Sequence, residues 1–315
     1  MNDKLPLFLK QYRALNKYLP RQHASFISFD QAFRRYEAGY AGEDRLSYFV
    51  EQAATFSFPY IRGLRMEAPS PFQMDWLILT EGFRVIFEVK AHAGTIYFDP
   101  RSHQLTRENE VFEDPLLQVD RQFAHLRRFF KQHQINPLPT YRYVVFVSPN
   151  VILKLQDFPE YTRIITSQKV PFVLEELLRP HPAQISTAEN QRIITLLQNA
   201  HKERFLPILR KYNLTINQLM KGVMCDHCDQ MMERVRLSWQ CPVCGKRQRE
   251  AHKQALYDWA LLTENRLTTS IVRDILRVDS LDATRKLIYR SDLIKRGSGK
   301  NTYYEHPDLV NIIRN

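Results

Sequence analysis

The stretch Val85–Gly94 reads VIFEVKAHAG and sets a glutamate and a lysine into a run of strand formers. Alternate residues of a strand share a face, so Val85, Phe87 and Val89 point one way and Ile86, Glu88 and Lys90 the other. A buried acid and a buried base on one face are costly unless they pair or hold something charged. Asp75 heads the upstream run DWLILT, with twelve residues between it and Glu88. A tight turn at Glu81-Gly82 folds the two runs into a hairpin and sets Asp75 beside Glu88 at one sheet edge. Two carboxylates there suit a hard divalent cation bound through oxygen, Mg²⁺ or Mn²⁺, with Lys90 alongside. A third acid, Glu43, shares a helical face with the apolar Leu46, Val50 and Ala53. An acid on an inward face needs a partner, which a metal supplies directly or through water.

A second constellation is CDHC, twelve residues, then CPVC: Cys225, Cys228, Cys241 and Cys244, the only 4 cysteines in the chain. Two Cys-x-x-Cys knuckles close a tetrahedral site of thiolates, which suits Zn²⁺ or iron–sulfur. With four protein ligands the site is closed and therefore structural. Pro242 and Gly245 fit the sharp turn of the second knuckle, and MMERVRLSWQ between the pairs fits the short hairpin of a zinc ribbon. His227 lies inside the first knuckle and is expected to be exposed. The run GKRQR follows, so Lys246, Arg247 and Arg249 form a basic tail suited to phosphate contact.

The elements that must carry these residues can be read from periodicity and breakers. Residues 1–36 read as helical with a break at Leu19-Pro20, and a second helix is expected from about Ala41 to Ala54. Strands follow at Tyr60–Leu64, Met74–Thr80, Phe83–Lys90 and Thr95–Asp99. Asp114-Pro115 opens a long helix, Asp as cap and Pro at the first helical position. Leu116, Val119, Phe123, Leu126 and Phe130 form its apolar stripe. Tyr141–Ser148 reads as a buried strand, and Val170–Val173 as a shorter one before a helical Leu174–Leu178. That order predicts an α/β core with a mixed sheet. Residues 186–220 read as two connecting helices. Thr268-Thr269-Ser270 and Asp279-Ser280 offer caps for two later helices, and Leu293–Lys295 and Thr302–Glu305 pair across RGSGKN as a hairpin.

The stretches GYAGEDRLSYFV, QMDWLILT, FEVKAHAG and DPLLQVDRQ together resemble the nuclease-related domain family, a branch of the PD-(D/E)xK phosphodiesterase superfamily. The resemblance covers about residues 37–150. It implies a restriction-endonuclease-like mixed sheet flanked by helices, and a metal-dependent cleavage of phosphodiester bonds. By position, Asp75 and Glu88 match the metal-binding acids, Lys90 the lysine of the motif, and Glu43 the acid of the first helix. Gln118 matches the glutamine that follows the Asp-Pro helix start. Lys90 is then expected to position water or stabilise charge, and Gln118 to orient water or touch the phosphate. His92 and His103 are expected at the surface, although His92 shares the face of Glu88 and Lys90.

The end of the chain resembles a winged helix-turn-helix. Thr284, Arg285 and Arg290 then fall on the recognition helix, and Lys295, Arg296 and Lys300 on the wing. The resulting order is N-terminal helices to 36, a nuclease-related domain over 37–180, and a helical connector over 181–220. A zinc ribbon at 221–250 and a winged-helix-like domain from 251 complete it. The 315 residues carry a formal charge of +11, which favours a polyanionic partner. From residue 221 onward 17 Lys and Arg face 12 Asp and Glu, about twice the excess per residue of the preceding part. DNA is the expected partner, with RNA not excluded and a protein partner open to the C-terminal domain. No run of apolar residues reaches membrane length, and the N-terminus lacks the segments of a signal peptide, so a cytoplasmic location is expected. Two alternatives stay open: a DNA-binding protein using a silent nuclease fold, and a scaffold that recruits a partner.

Overall fold

The computed structural model describes residues 5–53, 59–67, 71–99, 102–108, 110–155 and 158–313. Over these residues the chain is a mixed α/β protein that divides into two units. One holds residues 36–202, and the other residues 5–35 with those from 203 onward. Two helices open the chain, α1 (Leu7–Tyr18) and α2 (Phe26–Gln52). The extended conformation of Leu19, imposed by Pro20, ends the first. The second begins well before the expected Ala41 and runs through Gly39 and Gly42 without a break, so Glu43 lies in its interior. Ala54, its expected end, lies outside the described residues.

The first unit continues with β1 (Tyr60–Met66), β2 (Phe72–Leu79), β3 (Arg84–Lys90), β4 (Gly94–Asp99), β5 (Gln104–Arg107) and β6 (Glu110–Glu113). Then come α3 (Pro115–Gln132), β7 (Thr140–Phe146), β8 (Val151–Lys154), β9 (Ile164–Thr166), α4 (Val170–Leu178) and α5 (Thr187–Ala200). The expected hairpin forms: the Thr80 hydroxyl donates to the Phe83 carbonyl at 2.7 Å and accepts from the Phe83 N–H at 2.8 Å. β2 and β3 pair antiparallel with Trp76 opposite Phe87, and β7 lies parallel to β3 with Glu88 level with Val144. The central sheet has the order β1-β2-β3-β7-β9.

Alternation decides what each face buries. Leu77, Ile86, Val144 and Phe146 pack with Leu116, Val119, Leu126 and Phe130 of α3. Trp76, Ile78, Val85, Phe87 and Val145 pack on the other face with Leu46 and Val50 of α2 and Leu174 of α4. Glu88 and Lys90, in phase with Ile86, therefore belong to the α3 face.

Two expectations change here. Val170–Val173 is the first turn of α4 rather than a strand. Pro171 is preset for a helix start, and the strand lies earlier, at β9. A second sheet, β6-β5-β4-β8, carries three strands that the sequence reading did not predict. Their sequences QLTR, EVFE and VILK are too short to show a period.

In the second unit α1 is followed by α6 (Ile208–Lys211), β10 (Val223–Met224), β11 (Met231–Val235), β12 (Ser238–Gln240) and β13 (Arg247–Gln248). The unit ends with α7 (Ala251–Leu262), α8 (Thr269–Ile275), α9 (Leu281–Tyr289), β14 (Ile294–Arg296), β15 (Tyr303–Glu305) and α10 (Pro307–Ile313). The helices of residues 1–36 are not a separate body: Gln11 donates to the Leu261 carbonyl at 2.9 Å and Lys17 pairs with Asp258 at 2.8 Å. The expected caps form, Thr268 accepting from the Ile271 N–H and Ser280 from the Ala283 N–H. The hairpin over RGSGKN pairs Arg296 with Tyr303, and α10 beyond it was not foreseen. Among the described residues no helix is long and apolar enough to cross a membrane.

Candidate active site and metal centre

The β2–β3 ladder ends at the Trp76–Phe87 pair, and continuing its register and alternation one step sets Asp75 opposite Glu88 on the α3 side of the sheet. The Val89 N–H donates to Asp75 Oδ2 at 2.9 Å and fixes that side chain across the strand gap. Glu88 is buried, with 2 % exposure, and both of its oxygens are engaged. Lys90 Nζ donates to Oε1 at 2.7 Å and Gln122 Nε2 donates to Oε2 at 2.7 Å. Lys90 also donates to Gln118 Oε1 at 2.9 Å. Acid, lysine and two amides thus form one network between β3 and α3. Helix α3 can serve it because its Asp114 cap accepts the Leu116 N–H at 2.8 Å, fixing the start from which Gln118 and Gln122 project one turn apart.

Glu43 reaches the same region from α2. Its backbone carbonyl accepts the buried Trp76 indole N–H at 3.2 Å, which pins the helix to β2. Close approach depends on Gly42, where an added Cβ would meet Ala91 Cβ at 2.9 Å. Leu46, Val50 and Ala53 are buried on the expected inward face. Burial raises the Glu43 carboxyl to a pKa of about 7, against the opposing pull of Arg62 and with help from the Glu88 charge. Burial, then the charges of Glu88 and Glu43, hold Asp75 well above the ordinary carboxylate range, opposed by the Val89 N–H and Lys90. Three acids therefore repel one another across a site with a single lysine at its centre.

This donor set fits a hard cation. The ligands are carboxylate oxygens, and their mutual repulsion is what a divalent charge relieves. A cation joining Glu88 would compete with Lys90 for Oε1. The three acids are not drawn as close as a fully formed metal cage. Among the described residues, only the four cysteines bring three or more such ligand atoms within 4.8 Å of one another.

Of the flanking histidines, His92 is half-buried against Phe112, ring centres 4.5 Å apart, and His103 is exposed with Nδ1 3.3 Å from Asp114. Burial first, then Lys90 and Arg107, lower the His92 pKa. Gln122 is the member of the network missed by the sequence reading. Its signal was the four-residue spacing from Gln118 within DPLLQVDRQ.

In the second unit the Sγ atoms of Cys225 and Cys244 lie 3.6 Å apart and those of Cys228 and Cys241 3.5 Å. A tetrahedral site with metal–sulfur bonds of about 2.3 Å sets its sulfurs about 3.8 Å apart, so the cluster is of metal-binding size. The two knuckles match. Asp229 donates back to the Cys225 carbonyl and Gly245 to that of Cys241, both at 3.0 Å. Both residues are left-handed, φ 53° at Asp229 and 73° at Gly245. His227 is exposed, and four sheet strands replace the single hairpin expected.

The basic residues expected to meet nucleic acid differ in availability. Lys246 pairs with Asp226 at 2.8 Å, Arg247 donates to Ser238 at 2.7 Å and Arg296 pairs with Glu305 at 2.8 Å. Arg249, Arg290, Lys295 and Lys300 are exposed, and Arg285 lies 3.6 Å from Asp282. Thr284 is fully buried and its hydroxyl donates to the Ser280 carbonyl, so it presents nothing to a ligand. The helical period explains this: Thr284 shares a face with Leu287 and Ile288, which pack inward.

Residues 38–147 match the family model described as nuclease-related domain. No curated protein matches the chain, and no solved structure does.

Proposed function

We propose, from the match of residues 38–147 to the nuclease-related domain family, that the chain is a Mg²⁺-dependent nuclease that cleaves DNA phosphodiester bonds, with RNA not excluded as a substrate. The observation that supports this reading is the bond from the Val89 N–H to Asp75 Oδ2, which ties Asp75 to the strand that carries Glu88 and Lys90. Asp75 and Glu88 would hold the cation, and Glu43 would complete its outer sphere. Mg²⁺, or Mn²⁺ in its place, supplies when bound a lowered pKa for water and charge neutralisation at the phosphoryl oxygens. The chain's own contribution is positional and electrostatic. Lys90 carries a positive charge to where the phosphate's negative charge grows. Gln118 holds Lys90, and Gln122 holds the second oxygen of Glu88.

The four cysteines hold a structural zinc in this reading, and the order of α8, α9 and the β14–β15 hairpin supports a winged-helix assignment. Ribbon and winged helix bring the nuclease to nucleic acid through basic residues among Lys246, Arg247, Arg249, Arg285, Arg290, Lys295, Arg296 and Lys300. A silent domain that binds without cutting is the rival, favoured by the occupation of both Glu88 oxygens.

Plasmid and linear DNA incubated with the full chain, with and without added Mg²⁺, separate the two. Mg²⁺-dependent cleavage lost in Glu88→Ala is expected. Equal cleavage by wild type and variant removes the catalytic assignment.

A further inference from the structure

The hairpin tip of the ribbon carries a row of arginines. Arg234, Arg236, Arg247 and Arg249 belong to β11 and β13, the two strands that flank β12, and to their ends, and all four are exposed. They edge two neighbouring concavities. One, of about 470 Å³, is lined by Arg236, Leu237, Ser238, Arg247 and Arg249. The other, of about 430 Å³, shares Leu237 and Arg249 and is closed by Arg234, Trp239, Leu287 and Arg290. The second runs between the ribbon and α9 within one unit. Its single acid, Glu250, is already neutralised by Lys253 at 3.0 Å. Among the described residues Arg236, Arg249 and Arg290 have no ion-pair partner.

A further feature points to a ligand in the second cavity. His252 lines it with 3 % exposure, and neither ring nitrogen closes a hydrogen bond to the protein. The Arg249 backbone lies near the ring, yet burial is the larger influence and lowers the pKa to about 4, so the imidazole is neutral. A buried polar group without a partner is rare in a folded chain. Here it faces a cleft whose other walls are apolar, Leu237, Trp239 and Leu287, or cationic.

We propose that this groove binds single-stranded nucleic acid: Arg236, Arg247 and Arg249 take successive phosphates, and an unpaired base enters the Arg234–Arg290 cleft against Leu237 and Leu287, facing His252. A duplex offers phosphates but keeps its bases stacked, whereas a strand supplies both the charge and the flat apolar body that the two cavities accept together. Arg234 and Arg236 thereby join the contact surface. The proposal rests on the nuclease reading only in its choice of polyanion.

The test uses the full chain carrying Glu88→Ala, zinc retained and no Mg²⁺ added, so that nothing is cut. Anisotropy of a labelled twelve-nucleotide strand and of the matching duplex is followed across a salt series. The single strand is expected to bind about tenfold tighter than the duplex, because only its bases are free to stack. Arg249→Ala with Arg290→Ala is expected to weaken strand binding about tenfold and to lower the salt slope by about 0.7, the one phosphate that Arg249 holds, while the loss of Arg290 opens the base cleft. Unchanged zinc content and melting of the double variant show that both exposed sites were altered without unfolding. Unchanged affinity in the double variant, equal affinity for strand and duplex, or loss only with Arg285→Ala overturns the groove. Cleavage by wild type with Mg²⁺ is scored separately. If the chain cuts while the double variant binds normally, the groove alone fails. If nothing cuts while the double variant loses binding, the nuclease reading alone fails.

Discussion

Replacing Glu43 with glutamine should change how stability depends on pH, by an amount that the site fixes. The carboxyl rises from 4.5 to about 7 on folding, chiefly through burial. An acid whose pKa is raised binds its proton more tightly in the folded chain, so its contribution is full below 4.5 and is lost as pH rises through 7. A shift of that size corresponds to about 3 kcal/mol, at about 1.36 kcal/mol per unit. Asp75 shifts in the same direction and remains in both proteins, so the difference between wild type and Glu43→Gln reports Glu43 together with its repulsion of Asp75. Urea unfolding is followed by hydrogen exchange of the β2 and β3 amides, because two units need not unfold together. Zinc stays in place and no Mg²⁺ is added. Near pH 4.5 the two proteins should agree within about 1 kcal/mol, and at pH 8 the variant should be more stable by about 2–3 kcal/mol. Mg²⁺ should then stabilise wild type more than the variant at pH 8. Parallel pH profiles would refute the claim that Glu43 sits desolvated among the acids.

Three further outcomes follow from the packing. Gly39 has open space around its missing Cβ, so Gly39→Ala should gain about 0.5–1 kcal/mol of helix stability, whereas Gly42→Ala should lose stability because Ala91 blocks it at 2.9 Å; denaturation midpoints of the pair check this, and equal gains would contradict it. Arg84 is buried with Nη2 unpartnered and its guanidinium 4.1 Å over Phe130, so Arg84→Met should unfold within about 1 kcal/mol of wild type or later, and a loss beyond about 3 kcal/mol would show an unrecognised partner. Purified protein should release one zinc per chain on thiol modification, and Cys225→Ser should carry none while the β2–β3 amides keep their protection.

What the sequence made legible follows from where local rules suffice. The β2–β3 hairpin was readable because Glu81-Gly82 interrupts two apolar runs, and α3 because Asp114-Pro115 and the Leu116–Phe130 stripe agree. Face assignment for Glu88 and Lys90 followed from alternation alone. The start of α2 lies well before the expected Ala41, since the helix carries both Gly39 and Gly42 in its interior. The reason for Gly42 is tertiary: a close approach to Ala91 that no local signal carries. Val170–Val173 is helical although its valines favour a strand, because Pro171 presets the first turn of α4. The second sheet was invisible, since strands of four residues take their stability from pairing. Gln122 and His252 needed coordinates, one to find the second oxygen of Glu88 and the other to reveal a buried ring with no partner. Thr284 was drawn outward by its polarity, although its spacing to Leu287 already placed it inward.

The most direct measurement is a Mn²⁺ titration of the zinc-loaded chain at pH 8, read by water-proton relaxation, for wild type, Asp75→Asn and Glu88→Gln. Asp75 and Glu88 gripping a hard cation predicts saturable binding in wild type that Mg²⁺ displaces and that either substitution removes. Binding of equal strength in all three proteins, or none in wild type, would contradict it.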